Sequence, residues 1–369
     1  MNKRRWNLLL LSALALVMLA SCGKKDPGSD SSASSPPGSA SLPEEPSISV
    51  IAPVEPDPVF PYANPLTGEG LNEDISGQRP IAIMLNNLRK ALPQLGVAQA
   101  DVIYEIVAEG GITRMLAVFQ DIEGVGNLGC VRSARDYYVN LALGHDAIYI
   151  HAGGSPQSYT SFESWNVTHL DFVNGPYGNM CWRDPDRRKN AGLEHSLLTS
   201  SEKILEQMPS RITREHADGY SVGWTFSKDP PAGGQAAQKV SVPFSSYKTG
   251  SFTYSAEQGQ YLIEQHIDKQ DIPYVDGNNN EAVAVSNVLV LYTSVSRVKG
   301  DDKGRMDVRT TGTGDGLLFR DGQVFSITWQ RDSRNGCYAF LDQSGAPIPL
   351  AIGPSYINVV STSSNVTWE

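Results

Sequence analysis

Two short polar stretches hold the residues best equipped for chemistry: LGCVRSARDYY over residues 128–138 and AIYIHAGGSPQ over residues 147–157. In the first, Ser133 and Asp136 are spaced as in a capping box, with Asp136 in the place of the more usual Glu, and Arg132 and Arg135 lie beside that predicted helix start. A helix N-terminus presents unpaired N–H groups and the positive end of a dipole. Two guanidiniums next to it therefore describe a phosphate or carboxylate site. In the second stretch, Gly153 and Gly154 let the backbone bend or approach a ligand, Ser155 is an expected N-cap and Pro156 an expected first helical residue.

Other side chains could join them. Arg114 supplies a third guanidinium, and the alternative for all three is a structural ion pair with Glu105, Glu109 or Asp136. His151 and His195 are each placed to act as a general base, or simply as a satisfied hydrogen-bonding group. Arg183 belongs to a second basic group, MCWRDPDRRK, which reads as a charged loop. The expected ligand-binding set is thus Glu105, Arg114, Arg132, Arg135, Asp136, His151, Gly153, Gly154, Ser155, Arg183 and His195. Ser155 lacks the spacing of a nucleophile elbow, and there is no P-loop, Rossmann fingerprint, zinc-protease helix or zinc-like cysteine spacing. No catalytic residue, metal or cofactor is assigned from these patterns.

The elements that must carry these residues follow from periodicity. A buried strand is expected over 79–87, and an antiparallel hairpin over 101–107 and 114–120 that turns at Gly110 and Gly111. Ala134, Tyr137, Tyr138, Leu141 and Ala142 make one apolar helical face behind the Arg turn, and Thr199 with Glu202 reads as a second capping box. If the strands before the two turns share a mostly parallel sheet, both turns sit at carboxyl ends, where open α/β sheets bind ligands. The Pro/Gly/Gln-rich run 228–238 marks a boundary, beyond which short alternating runs predominate, with a hairpin turn at Asp321 and Gly322. The expectation is an α/β (or α+β) domain with a central mixed sheet over 61–235, followed by a β-rich domain over 236–369.

Residues 1–22 read as a lipoprotein signal peptide. Lys3, Arg4 and Arg5 precede an apolar run, and Leu19, Ala20, Ser21 and Cys22 look like a bacterial lipobox in which Cys22 is lipidated. Residues 23–60, rich in Ser, Pro, Gly and acids, predict a disordered tether. With a formal net charge of −10 the chain is a poor nucleic-acid binder, so any anion site must be local. Cys130, Cys181 and Cys337 are an odd set; a Cys130–Cys181 bridge beside the site and three free thiols are both open.

The blocks RPIAIMLNN, QADVIYEIVAEGGITR, VRSARDYY, AIYIHAGGSPQSY, WRDPDRRK, SNVLVLY and GTGDGLLFRDGQVFSITW resemble the YerB-like family of bacterial lipoproteins from about residue 79 to the C-terminus. That resemblance implies two domains and a Gram-positive envelope protein on the outer face of the cytoplasmic membrane, and supplies no reaction. Cys130 stands where the family leads one to expect Pro and Cys181 where it leads one to expect an aromatic residue, which adds to the case for a bridge. The segments TRMLAVFQDIEGVGNLGCVRSARDYYV and IHAGGSPQSYTSFESWNVTHLDFV are similar to LytR-CpsA-Psr phosphotransferases. That similarity implies pyrophosphate on Arg114, Arg132, Arg135 and Asp136, with Mg²⁺ held by Asp136 or Glu105. Three functions are expected: binding an anionic wall-related or lipid-linked group, phosphotransfer, or docking an envelope protein partner.

Overall fold

In the run RPIAIMLNN apolar residues fall on both faces of the pleat, and all six residues of β1 (Ile81–Asn86) are buried. The computed structural model describes residues 59–369, so Cys22, the lipobox and nearly all of the expected tether lie outside the described residues. β2 (Val102–Val107) and β3 (Thr113–Phe119) form the expected antiparallel hairpin. The first half continues with β4 (Asn127–Gly129), α1 (Asp136–Gly144), β5 (Ile148–His151), α2 (Pro156–Trp165), β6 (His169–Asp171), β7 (Cys181–Arg183), α3 (Pro185–Asn190), β8 (Leu197–Ser200) and α4 (Ser201–Gln207).

The principal elements of the second half are strands. They are β9 (Gln235–Ala236), β10 (Lys239–Pro243), β11 (Lys248–Ser255), β12 (Gln260–Ile267), β13 (Gln270–Pro273), β14 (Asn287–Thr293), β15 (Gly312–Arg320), β16 (Gln323–Arg331), β17 (Ala339–Leu341), β18 (Ser355–Ser361) and β19 (Thr367–Trp368). Asp321 and Gly322, both at positive φ, make the two-residue turn between β15 and β16, as their types require.

The fold is an N-terminal α/β region with a mixed central sheet followed by a strand-rich C-terminal region. One eleven-stranded sheet serves both, in the order β9-β16-β15-β14-β18-β2-β3-β1-β5-β6, with β17 beside β16. The join is β18, which lies parallel between β14 and β2 and sets Asn358 opposite Glu105. The change in composition near residue 236 thus marks a change in element type, and the sheet runs across it. Alternate residues divide between two cores. Ala82, Met84, Tyr104 and Ile106 pack with Tyr137, Tyr138 and Phe162 of α1 and α2. Ile81, Ile83, Leu85 and Ile103 pack with Val240, Phe252 and Ile263 of a six-stranded sheet that includes β10 to β13 and β19.

Three local expectations are corrected. Helix α1 begins at Asp136 with Arg135 at its N-cap, and no side chain caps it. Ser133 is not the cap because residues 132–134 are extended and bonded to neighbours: Arg132 N–H donates to the Met84 carbonyl at 2.9 Å and Ala134 N–H to the Gly153 carbonyl at 2.9 Å. The expected loop at 180–189 is β7 and α3, with Asp184 capping through Arg187 N–H at 2.8 Å and Pro185 as first helical residue. Helix α4 is capped by Ser200, one residue later than expected.

Of the two cysteine states left open, the structure holds the free thiols, at Cys130, Cys181 and Cys337. β8 lies between β4 and β7, pairing Gly129 with Leu198 on one side and Cys181 with Thr199 on the other. Two strand spacings separate the two cysteine-bearing segments, about 9–10 Å, which exceeds the roughly 7 Å limit between Cα atoms for a disulfide.

Candidate functional site

The two polar turns do meet. Ala152 N–H donates to the Arg132 carbonyl at 2.9 Å and Ser155 N–H to the Ala134 carbonyl at 3.2 Å, so residues 132–134 and 152–155 run side by side. Gly153 sits at φ +68° and its N–H donates to Asp171 Oδ1 at 2.8 Å, a conformation that favours glycine. Gly154 is closely packed: a Cβ there would lie 2.4 Å from Ser158 Oγ. Ser155 caps α2 as expected, accepting from Ser158 N–H at 3.1 Å, and is buried in that task.

Behind the turns the arginines converge in two tiers. Arg114 and Arg135 are buried and share one carboxylate, Glu109, with Arg114 Nη2 at 3.2 Å from Glu109 Oε2 and Arg135 on Oε1. They also donate to backbone, Arg114 to the Ser133 carbonyl at 2.7 Å and Arg135 to the Ala134 carbonyl at 2.6 Å. Burial works to raise the Glu109 carboxyl, and the two guanidiniums outweigh it and hold it below its ordinary value. Burial, with repulsion from Arg135, brings Arg114 down to about 10. Arg132 forms the outer tier. It pairs with Glu194 at 2.7 Å, and the Glu194 side chain is 68% exposed against 16% for Arg132. Its hydrogen bond from Arg132 and the guanidinium charge lower the Glu194 carboxyl.

Several expected site residues are interior. Glu105 is fully buried and accepts from Asn87 Nδ2 at 2.8 Å, from the hydroxyls of Thr113 and Tyr356, and from Lys248 Nζ at 3.1 Å. It faces the six-stranded sheet, whereas Asp136 heads α1 on the opposite face. The two acids named as alternatives for Mg²⁺ thus lie on opposite faces of the sheet. Burial raises the Asp136 carboxyl.

The histidines are likewise committed. His151 is buried, with Nδ1 2.9 Å from the Gly153 carbonyl and Nε2 2.9 Å from His169 Nδ1. Burial pulls its pKa down to about 4, so the ring is neutral and fully bonded. His195 Nδ1 is 2.9 Å from Asn86 Nδ2, and burial lowers it too. Arg183 donates to the Leu193 carbonyl at 2.6 Å. Of the expected set, Arg132 alone combines partial exposure, charge and a displaceable partner. Sequence reasoning did not select Glu194, Lys248, Tyr356 or His169. Lys248 sits in an alternating strand like many surface lysines, and the other partners are remote in sequence, so no local signal marked them.

Large cavities open elsewhere. One of about 630 Å³ lies in the strand-rich region beside Phe325, Ile348 and Trp368, and one of about 360 Å³ lies at the β6 edge beside Arg79, His169 and Arg211.

Comparison with known proteins agrees with this two-part architecture. The family described as "Protein of unknown function (DUF3048)" matches with its N-terminal domain over residues 66–217 and its C-terminal domain over residues 240–357. A Bacillus subtilis (strain 168) protein named "Putative lipoprotein YerB" is 30% identical over 316 residues, covering 83% of this chain and 88% of that protein. The crystal structure of YerB from Bacillus subtilis superposes with a TM-score of 0.71 at 26% identity, covering 83% of this chain and 99% of the crystallised one.

Proposed function

The chain belongs to the DUF3048 family, and from that membership we propose that it is a membrane-anchored extracytoplasmic lipoprotein of the cell envelope that recognises an anionic group at Arg132. The anchor is Cys22 of the Leu19–Cys22 lipobox, in keeping with the lipoprotein named among its relatives. The carrying observation is the ion pairing at the turn. Three guanidiniums are paired with two carboxylates, and one of these, on Glu194, stands in solvent. An exposed ion pair contributes only about 0–1 kcal/mol, so an incoming phosphate can displace Glu194 from Arg132. Arg114 and Arg135, locked on Glu109, stand behind it and hold the Ser133 and Ala134 carbonyls in position.

The ligand class is a phosphate-bearing wall or lipid-linked group. Calorimetric titration tests it on a form beginning at Asp57, two residues before the first described one, with a polyprenyl pyrophosphate in detergent, with and without Mg²⁺. Wild type should bind, Arg132→Gln should bind at least tenfold more weakly, and Glu194→Gln should bind more tightly because the competing carboxylate is gone. Absence of binding, or equal binding by Arg132→Gln, rejects the reading. For the anchor, Cys22→Ala in the full chain should move the protein out of the membrane fraction.

A further inference from the structure

The eleven-stranded sheet ends at β6, which pairs with β5 alone. In that parallel ladder Tyr149 N–H donates to the Thr168 carbonyl at 3.0 Å and Phe172 N–H to the His151 carbonyl at 2.9 Å. By alternation, His169 between them turns its own N–H and C=O to the free side. A cavity of about 360 Å³ adjoins Val167, Thr168 and His169 at the start of this edge strand, within the volume range of small-molecule sites. It is lined by Arg79, Val167, Thr168, His169, Tyr177, Arg211, Ile212 and Thr213, none of them acidic.

The polar groups of this lining are mostly donors. Arg211 is exposed and has no carboxylate partner among the described residues; it donates to the Tyr177 hydroxyl at 2.5 Å. Because the Tyr177 oxygen accepts from Arg211, its own proton is free to point elsewhere. Arg79 spends Nε on the Asp146 carbonyl at 2.7 Å, and its Nη atoms reach the Thr213 and Ala147 carbonyls only at 3.4 and 3.5 Å. Asp146, 3.4 Å from Arg79, is also held by His216 at 2.9 Å, so it neutralises Arg79 from behind and leaves Arg211 uncompensated.

His169 differs from these donors, because the ring nitrogen it keeps open is an acceptor. His151 places its Nδ1–H on the Gly153 carbonyl, so its neutral Nε2 accepts from His169 Nδ1–H, and His169 keeps Nε2 as its open nitrogen. Phe162 stacks on the His169 ring at 4.0 Å between centroids and 6° between planes, which fixes its orientation.

We propose that this cavity at the free edge of β6 is a binding site for the oxyanion head, phosphate or carboxylate, of a small solute, with Arg211 as its principal charge and Tyr177 as the residue that positions Arg211. A guanidinium held by a hydroxyl and free of any carboxylate is arranged for a charge-assisted bond to an oxyanion. The site stands apart from the Arg132 turn and does not depend on it.

The test is titration of the ¹⁵N-labelled protein beginning at Asp57 with inorganic phosphate in one arm and citrate in the other, following the Thr168 and His169 amides. Saturable shifts in either arm are expected; phosphate alone assigns a phosphate head, citrate alone a carboxylate head. Arg211→Gln should weaken the response at least tenfold. Tyr177→Phe, which leaves every charge in place, should weaken it less, and Arg132→Gln should leave it unchanged. Arg211 is exposed, so its replacement should not unfold the protein, which a melting curve verifies. Shifts that never saturate in both arms, or that persist undiminished in Arg211→Gln, overturn the proposal.

Discussion

Glu105 and Arg132 were equal candidates by residue type and position, and they ended in opposite circumstances. Glu105 lies in the interior, where Lys248, Tyr356, Thr113 and Asn87 occupy its carboxylate and none of its surface meets water. Arg132 lies at a rim, opposite a carboxylate that water already solvates. The lesson concerns cost. A saturated buried charge is expensive to disturb and therefore structural, whereas a charge with an exposed partner can change partners cheaply.

The largest effect should come from breaking the interior pair. Lys248→Met leaves a carboxylate buried without its cation and should cost about 3–5 kcal/mol in urea unfolding. The double replacement with Glu105→Leu should recover part of that loss. If single and double losses simply add, the two groups are not coupled and the interior half of the comparison fails.

Acid should act next, through His151. Its folded pKa of about 4 lies below the ordinary 6.5 because burial disfavours the imidazolium. The unfolded chain therefore binds the proton first as pH falls, so stability is complete above about 6.5 and declines toward 4, by about 3 kcal/mol at most. His151→Gln should flatten that limb of a pH–stability curve. An unchanged slope would mean that His151 is not buried neutral.

The two tiers of the arginine cluster offer a finer contrast. Glu109→Gln strips the shared carboxylate from two buried guanidiniums and should cost about 1–3 kcal/mol. Arg132→Gln should cost less than about 1 kcal/mol of stability while affecting anion binding most. Thermal unfolding of the two variants side by side decides it; a reversal of their order would place the structural role at the rim. Smallest of all, a reductant should leave the melting temperature of the protein unchanged, because Cys130 and Cys181 are unbridged across β8.

Much of the fold was legible in short windows. The buried run of β1, the β2–β3 hairpin, the Ser155–Pro156 start of α2 and the Asp321–Gly322 turn each follow from periodicity or from one residue's backbone preference. Asp184–Pro185 carried an equally good helix-start signal, hidden by the charges around it. The site was less legible. Arg114, Arg132 and Arg135 were selected and do gather, but their types could not say which would be locked and which left at the rim.

What the sequence determined alone is whatever depends on neighbours a few residues away: strand periodicity, the Ser155 cap and tight turns. Tertiary structure decided the rest. The start of α1 moved because residues 132–134 found hydrogen bonds on Met84 and Gly153. Glu105 met Lys248 from 143 positions away because β18 and the six-stranded sheet carry the second half of the chain against β2. Backbone preferences are local energies and can be read in place, whereas the partner of a charge is fixed by strand order and register, which exist only once the chain has folded.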